Sequence, residues 1–462
     1  MILLQRLVVL TLLALFCHVA LLVLFSHHVH GVAVVSSVTG SADPVAGVDY
    51  DVNDDSTIDA AAAAAASSLV INSHVDTTKK YDLSLDHVKN KVWDVILVTD
   101  SYGIGAMATE EDGLLLLALE QLGRKATRRS IEDDKFDDWD AAKLIVLRSA
   151  WAKFDYLEKY KRFLETVESH SFFFNPSKLV LWGLNKVIYL RQLAKFVKVP
   201  QTIIIYHDED EDEPPPPYSE LTELLNCTDI IIKPTEGNGG VGVKLINETN
   251  LDLYDEKMRL YMRELGQDML VQCFMYSVTH YGPGEINVYL INGQVTHAGY
   301  SVPAKGGYLI HEEYGGDGDD LVPSEAEKEF ALNVYNAAVG IVGVKPLYMR
   351  VDMMYDNDGD LTLMEIACGT TDMNFRDFPA SAKVMARAMD EFLREKEREY
   401  ELIHGEIPRL ITRDAFRNLS YPYDMFGTPQ RDGAYGKQNP LVRYNVERCI
   451  TNCPINTTVI CI

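Results

Sequence analysis

The sequence predicts an α/β (α+β) protein, and three observations carry that reading. From Val92 the chain runs through an apolar strand (VWDVILV), a turn at Thr99 to Gly105, a helical stretch over Glu110 to Leu122 and a second buried strand (AKLIVLR), the β-α-β pattern of a parallel sheet. From Ile230 to Val243, IIIKPTEGNGGVGV sets a glycine loop between two strands. From Leu347 to Gly369, LYMRVDMMYDNDGDLTLMEIACG reads as a hairpin: an apolar run, then Asn357-Asp358-Gly359, whose Asp-Gly step suits a two-residue turn, then alternating LTLME.

In chain order, Leu7 to Phe25 is an uninterrupted apolar run without charge, and Arg6 is the only basic residue before it. That length spans a bilayer, so residues 1–31 read as a signal peptide or a signal anchor, with the bulk of the protein on the non-cytosolic side of a membrane or in the secretory pathway. Residues 32–90 read as a low-complexity tether containing seven alanines, Ala60 to Ala66. A small α/β domain is expected over 91–170 and a larger one over 171–405, closed by helices at Pro323 to Val342 and Ala380 to His404. Asp208 to Glu213 (DEDEDE) and Pro214 to Pro217 form a solvated insertion. Residues 406–462 lose periodicity and read as an irregular tail. There Cys449, Cys453 and Cys461 lack a nearby histidine, so a tail disulfide is a simpler reading than a zinc site. Asn226, Asn247, Asn418 and Asn456 lie in N-x-S/T sequons, as a glycoprotein would carry. A formal charge of −25 excludes nucleic-acid binding by the fold, because phosphate would be repelled on approach.

The chemistry concentrates on the hairpin and the glycine loop. Asp352 and Glu365 lie on its two strands and can meet across them. Two such acids repel, so a positive charge is expected between them, most simply Mg²⁺ carrying phosphate oxygens. Gly237, Gly239, Gly240 and Gly242 match G-x-G-x-x-G, but that motif must open a helix, and VGVKLI reads as strand. Strand, loop, strand instead makes a flap whose bare amides can fold over a polyphosphate, with Lys233 a point charge beneath it. Arg148, at the end of its strand, is a candidate for holding a substrate carboxylate.

Lys186 in LNKVIYLRQLAKFVKVPQT, Lys233 with its flap, QCFM at Gln272 to Met275, Glu285 in GPGE and the RVD to DGDLTLMEIA hairpin together resemble the ATP-grasp superfamily. The likeness is nearest to glutathione synthetase-like and D-alanine–D-alanine ligase-like carboxylate-amine ligases, and runs from about Lys91 to about Phe392. It implies an ATP-grasp fold over 171–405 behind a small α/β domain, ATP and Mg²⁺ as cofactors, and small-molecule carboxylate and amine substrates joined through an acyl phosphate. It further implies that Lys186 and Lys233 neutralise the α- and β-phosphates, and that Glu236, Gly237, Asn238, Gly239 and Gly240 close on the β/γ region. Gln272, Cys273, Phe274 and Met275 would supply hinge groups to adenine, and Glu285 would accept from a ribose hydroxyl. Arg350 would face the charge developing during transfer, and Asp352 and Glu365 would hold Mg²⁺.

The chain departs from the family pattern at several positions. Ala367 stands where a third metal ligand is usual, and Ser301, Gly307 and Leu309 stand where Lys, Asp and Arg are expected. Lys305, Asp372 or Asn374 could compensate. Three alternatives to a ligase therefore stay open: a catalytically impaired nucleotide-binding protein, an ATP-grasp kinase, and a membrane-tethered structural ectodomain.

Overall fold

The structure, a computed structural model, describes residues 31–35, 85–100, 108–132, 139–153, 157–207, 216–251, 266–279 and 283–417. The described elements start with strand β1 (Gly31–Val35) and then a first unit made of β2 (Trp93–Thr99), α1 (Ala108–Gln121), β3 (Ala126–Ser130), β4 (Ala142–Ser149), α2 (Leu157–Thr166) and β5 (Phe172–Phe174). Its four strands are parallel in the order β3-β2-β4-β5. Strand alternation divides the core in two. Val95, Leu97, Leu144 and Val146 point toward α1, whereas Ile96, Val98, Ile145 and Leu147 point toward α2.

Two short helices, α3 (Ser177–Leu184) and α4 (Lys186–Leu193), lead into an antiparallel sheet. It contains β6 (Thr202–Tyr206), helix α5 (Tyr218–Leu225) on one face, β7 (Ile230–Pro234), β8 (Lys244–Ile246) and β9 (Met269–Cys273), in the order β1-β6-β9-β7-β8. Gly31 to Val35, where the expected signal segment meets the expected tether, thus pair antiparallel with β6. A second antiparallel sheet follows: β10 (Glu285–Ile291), β11 (Gln294–Val302), β12 (Asp317–Leu321), helix α6 (Glu325–Val342), β13 (Tyr348–Tyr355) and β14 (Leu361–Ala367), ordered β12-β11-β10-β13-β14. Helices α3, α4 and α6 cover its inner face. A capping box starts α6, with Ser324 accepting from the Glu327 N–H and the Glu327 carboxylate accepting from the Ser324 N–H. Gly343, at φ 79°, stops it.

Helix α7 (Pro379–His404) returns to the first unit and lays Ala382, Met385, Ala386, Met389 and Leu393 on the parallel sheet beside α1. The chain expected to be an irregular tail stays attached for several residues: Ile411 donates its N–H to the Lys91 carbonyl at 2.7 Å and packs near Val92 and Ala141, before a short helix α8 (Arg413–Arg417). Among the described residues no helix is long and apolar enough to cross a membrane. Leu7 to Phe25, the alanine run, DEDEDE, Asn418, Asn456 and the three late cysteines lie outside the described residues.

Candidate functional site

Antiparallel register sets a polar row across the second sheet. Asn287 on β10 lies opposite Asp352 on β13, and Asp352 lies opposite Glu365 on β14, with a bulge just after Asp352. The two acids singled out in the sequence therefore meet. The turn joining their strands is longer than the two-residue turn expected. Strand pairing ends at Tyr355 and Leu361, and the intervening Asp356 carboxylate accepts from the N–H groups of Asp358 and Asp360, while Gly359 takes φ 88°. Lys198 clamps that turn through Asp356 and, at 2.7 Å, Asp360.

Asp352 is buried and does not stand alone. Arg350, two residues earlier on the same face, donates Nε to Oδ1 at 2.7 Å and Nη2 to Oδ2 at 2.8 Å, and Asn287 Nδ2 donates to Oδ1 at 2.9 Å. The sequence reading gave Arg350 to the transferring group and Asp352 to a metal; the structure engages each with the other as well. Asn287 Nδ2 also reaches Glu285 Oε1 at 3.2 Å, and its Oδ1 accepts from Ser301. Glu285 thus belongs to the acid row, where burial and then the neighbouring Asp352 push its carboxyl above the usual range.

Three lysines face these acids. Lys186 opens α4, whose cap is Asn185 accepting from the N–H groups of Val187 and Ile188. Its Nζ reaches Glu365 Oε1 at 3.3 Å and donates to the Gly237 carbonyl of the glycine loop at 2.9 Å. Lys233 lies on β7 and has no ion pair among the described residues. Burial, then repulsion from Lys186, lowers its pKa to about 8. Lys153, just past the end of β4, is buried, donates to Thr370 Oγ1 at 2.9 Å and is likewise lowered to about 8, first by burial and then by Lys186. Glu365 feels the opposite field: burial raises its pKa, but Lys186, Lys233 and Arg350 together hold it below the usual carboxylate range.

The glycine loop joins β7 and β8 as strand, loop, strand, as expected from its sequence. Gly239, Gly240 and Gly242 all take positive φ, so side chains there would be strained. Asn238 Nδ2 donates to the Trp151 carbonyl, and the Glu236 N–H donates to Gln267 Oε1. The hinge region is partly committed to the fold. Gln272 bonds Thr202 through its side chain, and Cys273 is disulfide-bonded to Cys227. The Phe274 N–H donates to the Asp229 carbonyl, and the Phe274 carbonyl accepts from Asn357. Among the hinge residues named from the sequence, Met275 keeps an N–H with no hydrogen bond among the described residues. Beside it Phe274, Met275, Val278 and Met354, with Ile231, Leu245 and Met364, form an apolar patch between the two antiparallel sheets.

Arg148 does not face a substrate space. It is fully buried, bonded to Glu111 Oε2 at 3.1 Å and the Thr371 carbonyl at 3.0 Å, with Asp112 at 3.3 Å and the rings of Tyr348 and Phe375 beside it. It ties β4 and α1 to the chain after β14. The sequence reading missed Lys153, Asn287 and His311. Asn287 sits two residues after Glu285 on one strand, a spacing that puts both on one face. Lys153 lies in the WAKFDY segment, which matches the family turn only in part, and His311 carries no local signal.

Residues 95–175 match the family model described as D-cycloserine synthetase DcsG, N-terminal domain. No curated protein matches the chain. Among solved structures, D-cycloserine synthetase DcsG superposes with a TM-score of 0.56 at 23% identity, covering 65% of this chain and 99% of that one. D-alanine–D-alanine ligase from Bacillus anthracis, complexed with ATP, gives 0.45 at 14% identity over 66% of this chain and 99% of that chain. The ATP-grasp ligase PsnB, complexed with minimal precursor, gives 0.44 at 15% over 66% and 99%. The chain shares the fold of D-cycloserine synthetase DcsG, in keeping with the ATP-grasp fold that the sequence resemblance implied.

Proposed function

We propose that the protein is an ATP- and Mg²⁺-dependent ligase that joins a small-molecule carboxylate to an amine through an acyl phosphate. The observation that carries this reading is the ion pair of Lys186 with Glu365, with Lys186 also bonded to the glycine loop and the buried Lys233 and Lys153 within the field of the same acid. Lys186 pairs with Glu365, whereas Lys233, buried with no ion pair among the described residues, is costly there unless an anion joins it. Mg²⁺ is commonly held by one or two carboxylates together with substrate phosphates and water, so Asp352 and Glu365 suffice.

When bound, Mg-ATP supplies the phosphoryl group and shields its charge. The chain does the rest. Lys186 and Lys233 hold the phosphates, and the apolar patch with the Met275 N–H receives the base. Arg350 keeps its Nη1 donors for the charge that develops on the transferring phosphoryl or on the tetrahedral carbon's oxygen. Closure of the glycine loop excludes water, which would hydrolyse the acyl phosphate.

One observation favours a second reading, a nucleotide-binding protein without catalysis: both Asp352 oxygens are taken by Arg350, and Ala367 stands directly opposite Arg350. Thermal shift and ADP release, measured with Mg-ATP and a panel of carboxylates and amines, separate them. The ligase releases ADP only with an acid present and gives amide once an amine is added; the impaired protein shows a shift and no ADP. ADP formed with a hydroxyl substrate and no amine would indicate a kinase. Loss of the shift in Lys233→Ala places the nucleotide, and no shift in wild type rejects both nucleotide readings.

For localisation, the Cys227–Cys273 disulfide and the exposed Asn226 sequon beside it support the reading that the domain folds in the secretory pathway, behind the apolar segment Leu7 to Phe25.

A further inference from the structure

Between β11 and β12 the chain passes over the cleft, and His311 lies in that passage. Its ring stands edge-on to Tyr314, with centroids 6.5 Å apart. It meets the glycine loop so closely that a Cβ on Gly240 would lie 3.3 Å from His311 Nδ1, from Leu309 and from Tyr314 alike. Tyr308, three residues earlier, donates its hydroxyl to the Val243 carbonyl of the same loop at 3.4 Å. The charged groups whose field reaches the ring are Arg350, Glu313, Glu365 and Asp352. The imidazole therefore lies against the loop and within the field of the acid row. Its Nδ1 is buried and has no hydrogen-bond partner among the described residues, an expensive condition for a polar atom unless a ligand satisfies it. Burial, and then the Arg350 guanidinium, hold the ring below the ordinary histidine range, so at neutral pH it is an uncharged group with one N–H to give.

We propose that His311 is the residue that contacts the terminal phosphoryl group of the nucleotide, seating that group between the glycine loop and the Asp352–Glu365 row. This inference rests on the nucleotide reading above and deepens it. It also accounts for the absence of basic side chains at Ser301 and Leu309: a ring two residues beyond Leu309 serves the space those positions leave. Because the ring touches the loop at Gly240, it couples closure of the loop to the presence of a third phosphate. A diphosphate would not reach it.

The test compares a hydrolysis-resistant triphosphate, the β,γ-imido analogue of ATP, with ADP, each titrated calorimetrically with Mg²⁺ into the full chain. Wild type should bind the triphosphate more tightly than ADP. His311→Phe keeps a ring against Gly240 but has no N–H; it should lose at least tenfold in triphosphate affinity while ADP affinity stays within twofold. His311→Gln, which retains a donor, should recover part of the loss. If His311→Phe weakens both nucleotides equally, the ring only supports the loop and the proposal fails. It fails too if neither affinity changes, or if the Gln variant behaves as the Phe variant does. If wild type binds neither nucleotide, it is the nucleotide reading itself that falls.

Discussion

Asp352 gives both oxygens to Arg350 and shares one with Asn287, so a single buried carboxylate balances a guanidinium while facing Glu365 across the hairpin. Removing one partner of such a pair leaves the other charge uncompensated. Asp352→Ala should therefore destabilise the ligand-free protein by about 3–5 kcal/mol in a urea melt, beyond any effect on nucleotide. A loss below about 1 kcal/mol would show that Arg350 is well solvated without its partner. The lysines give a second expectation. Lys153 and Lys233 sit near pKa 8 in the fold against 10.5 unfolded, so between those values the unfolded chain carries more protons. Ligand-free stability should then rise with pH across that window. Phosphate restores their charge, so nucleotide binding there should take up protons and weaken as pH climbs past about 8. Calorimetry in two buffers of different ionisation heat reads the uptake directly, and no uptake just above pH 8 rejects the placement of phosphate at these lysines. At this scale the sequence shows only part of the site. The facing of Asp352 and Glu365 is legible because strand alternation and a turn determine it. Lys153 and His311 are not, because they arrive from chain segments whose approach depends on packing between sheets.

The hairpin turn was legible as a turn but not in its work. Asn357 reaches across to the hinge, its Nδ2 donating to the Phe274 carbonyl and its Oδ1 accepting from the Tyr276 N–H at 3.1 Å. The element that carries the two acids is thereby fastened to the element expected to meet the base. Asn357→Ala should cost about 1–2 kcal/mol, at roughly 1 kcal/mol per hydrogen bond, and should speed amide exchange at Tyr276 more than in the distant parallel sheet. A uniform change in exchange would mean the turn does not act on the hinge. The disulfide at the end of β9 belongs to the same element. Cys227 and Cys273 are separated by 46 residues, and on the chain-entropy relation a closed loop of that length stabilises by about 4 kcal/mol. Cys273→Ser should lower the denaturation midpoint accordingly, and a peptide map under non-reducing conditions should recover the two cysteines linked. The sequence pointed to the late cysteines instead, since pairing follows from which strand ends meet. Ile230 lies opposite Cys273 in the sheet, which brings the end of α5 alongside it.

Across the whole molecule the cleft is shared by three units that were legible separately but not in their joining. Lys153 comes from the end of the parallel sheet, Lys186 and Lys233 from the helix and sheet that follow, and Asp352 and Glu365 from the last sheet. The first unit is held to the rest by α7, whose apolar face lies on the parallel sheet, and by buried bonds of Arg148 to the Thr371 carbonyl and of Asn175 to the Tyr348 and Cys368 carbonyls. On α7, Asp390 and Glu397 accept from Arg124 at 2.7 and 2.8 Å, while Lys143 bridges Glu397 and Asp94. Those ion pairs lie away from the cleft and do not close it. A ligand whose phosphates touch all three units would add to the links Asn238–Trp151 and Lys153–Thr370 and stabilise the assembled fold as one body. At a nucleotide concentration one hundred times Kd, Mg-ATP should stabilise wild type by about 2.7 kcal/mol, read as a higher melting temperature that depends on ligand concentration. The gain should disappear in Lys233→Ala and in Lys186→Ala alike, although one residue lies on a strand and the other at a helix start, because each holds the same polyanion. If only the glycine loop gained exchange protection while the parallel sheet and α7 melted at an unchanged temperature, the nucleotide would be bound to one unit alone, and the shared cleft would be wrong.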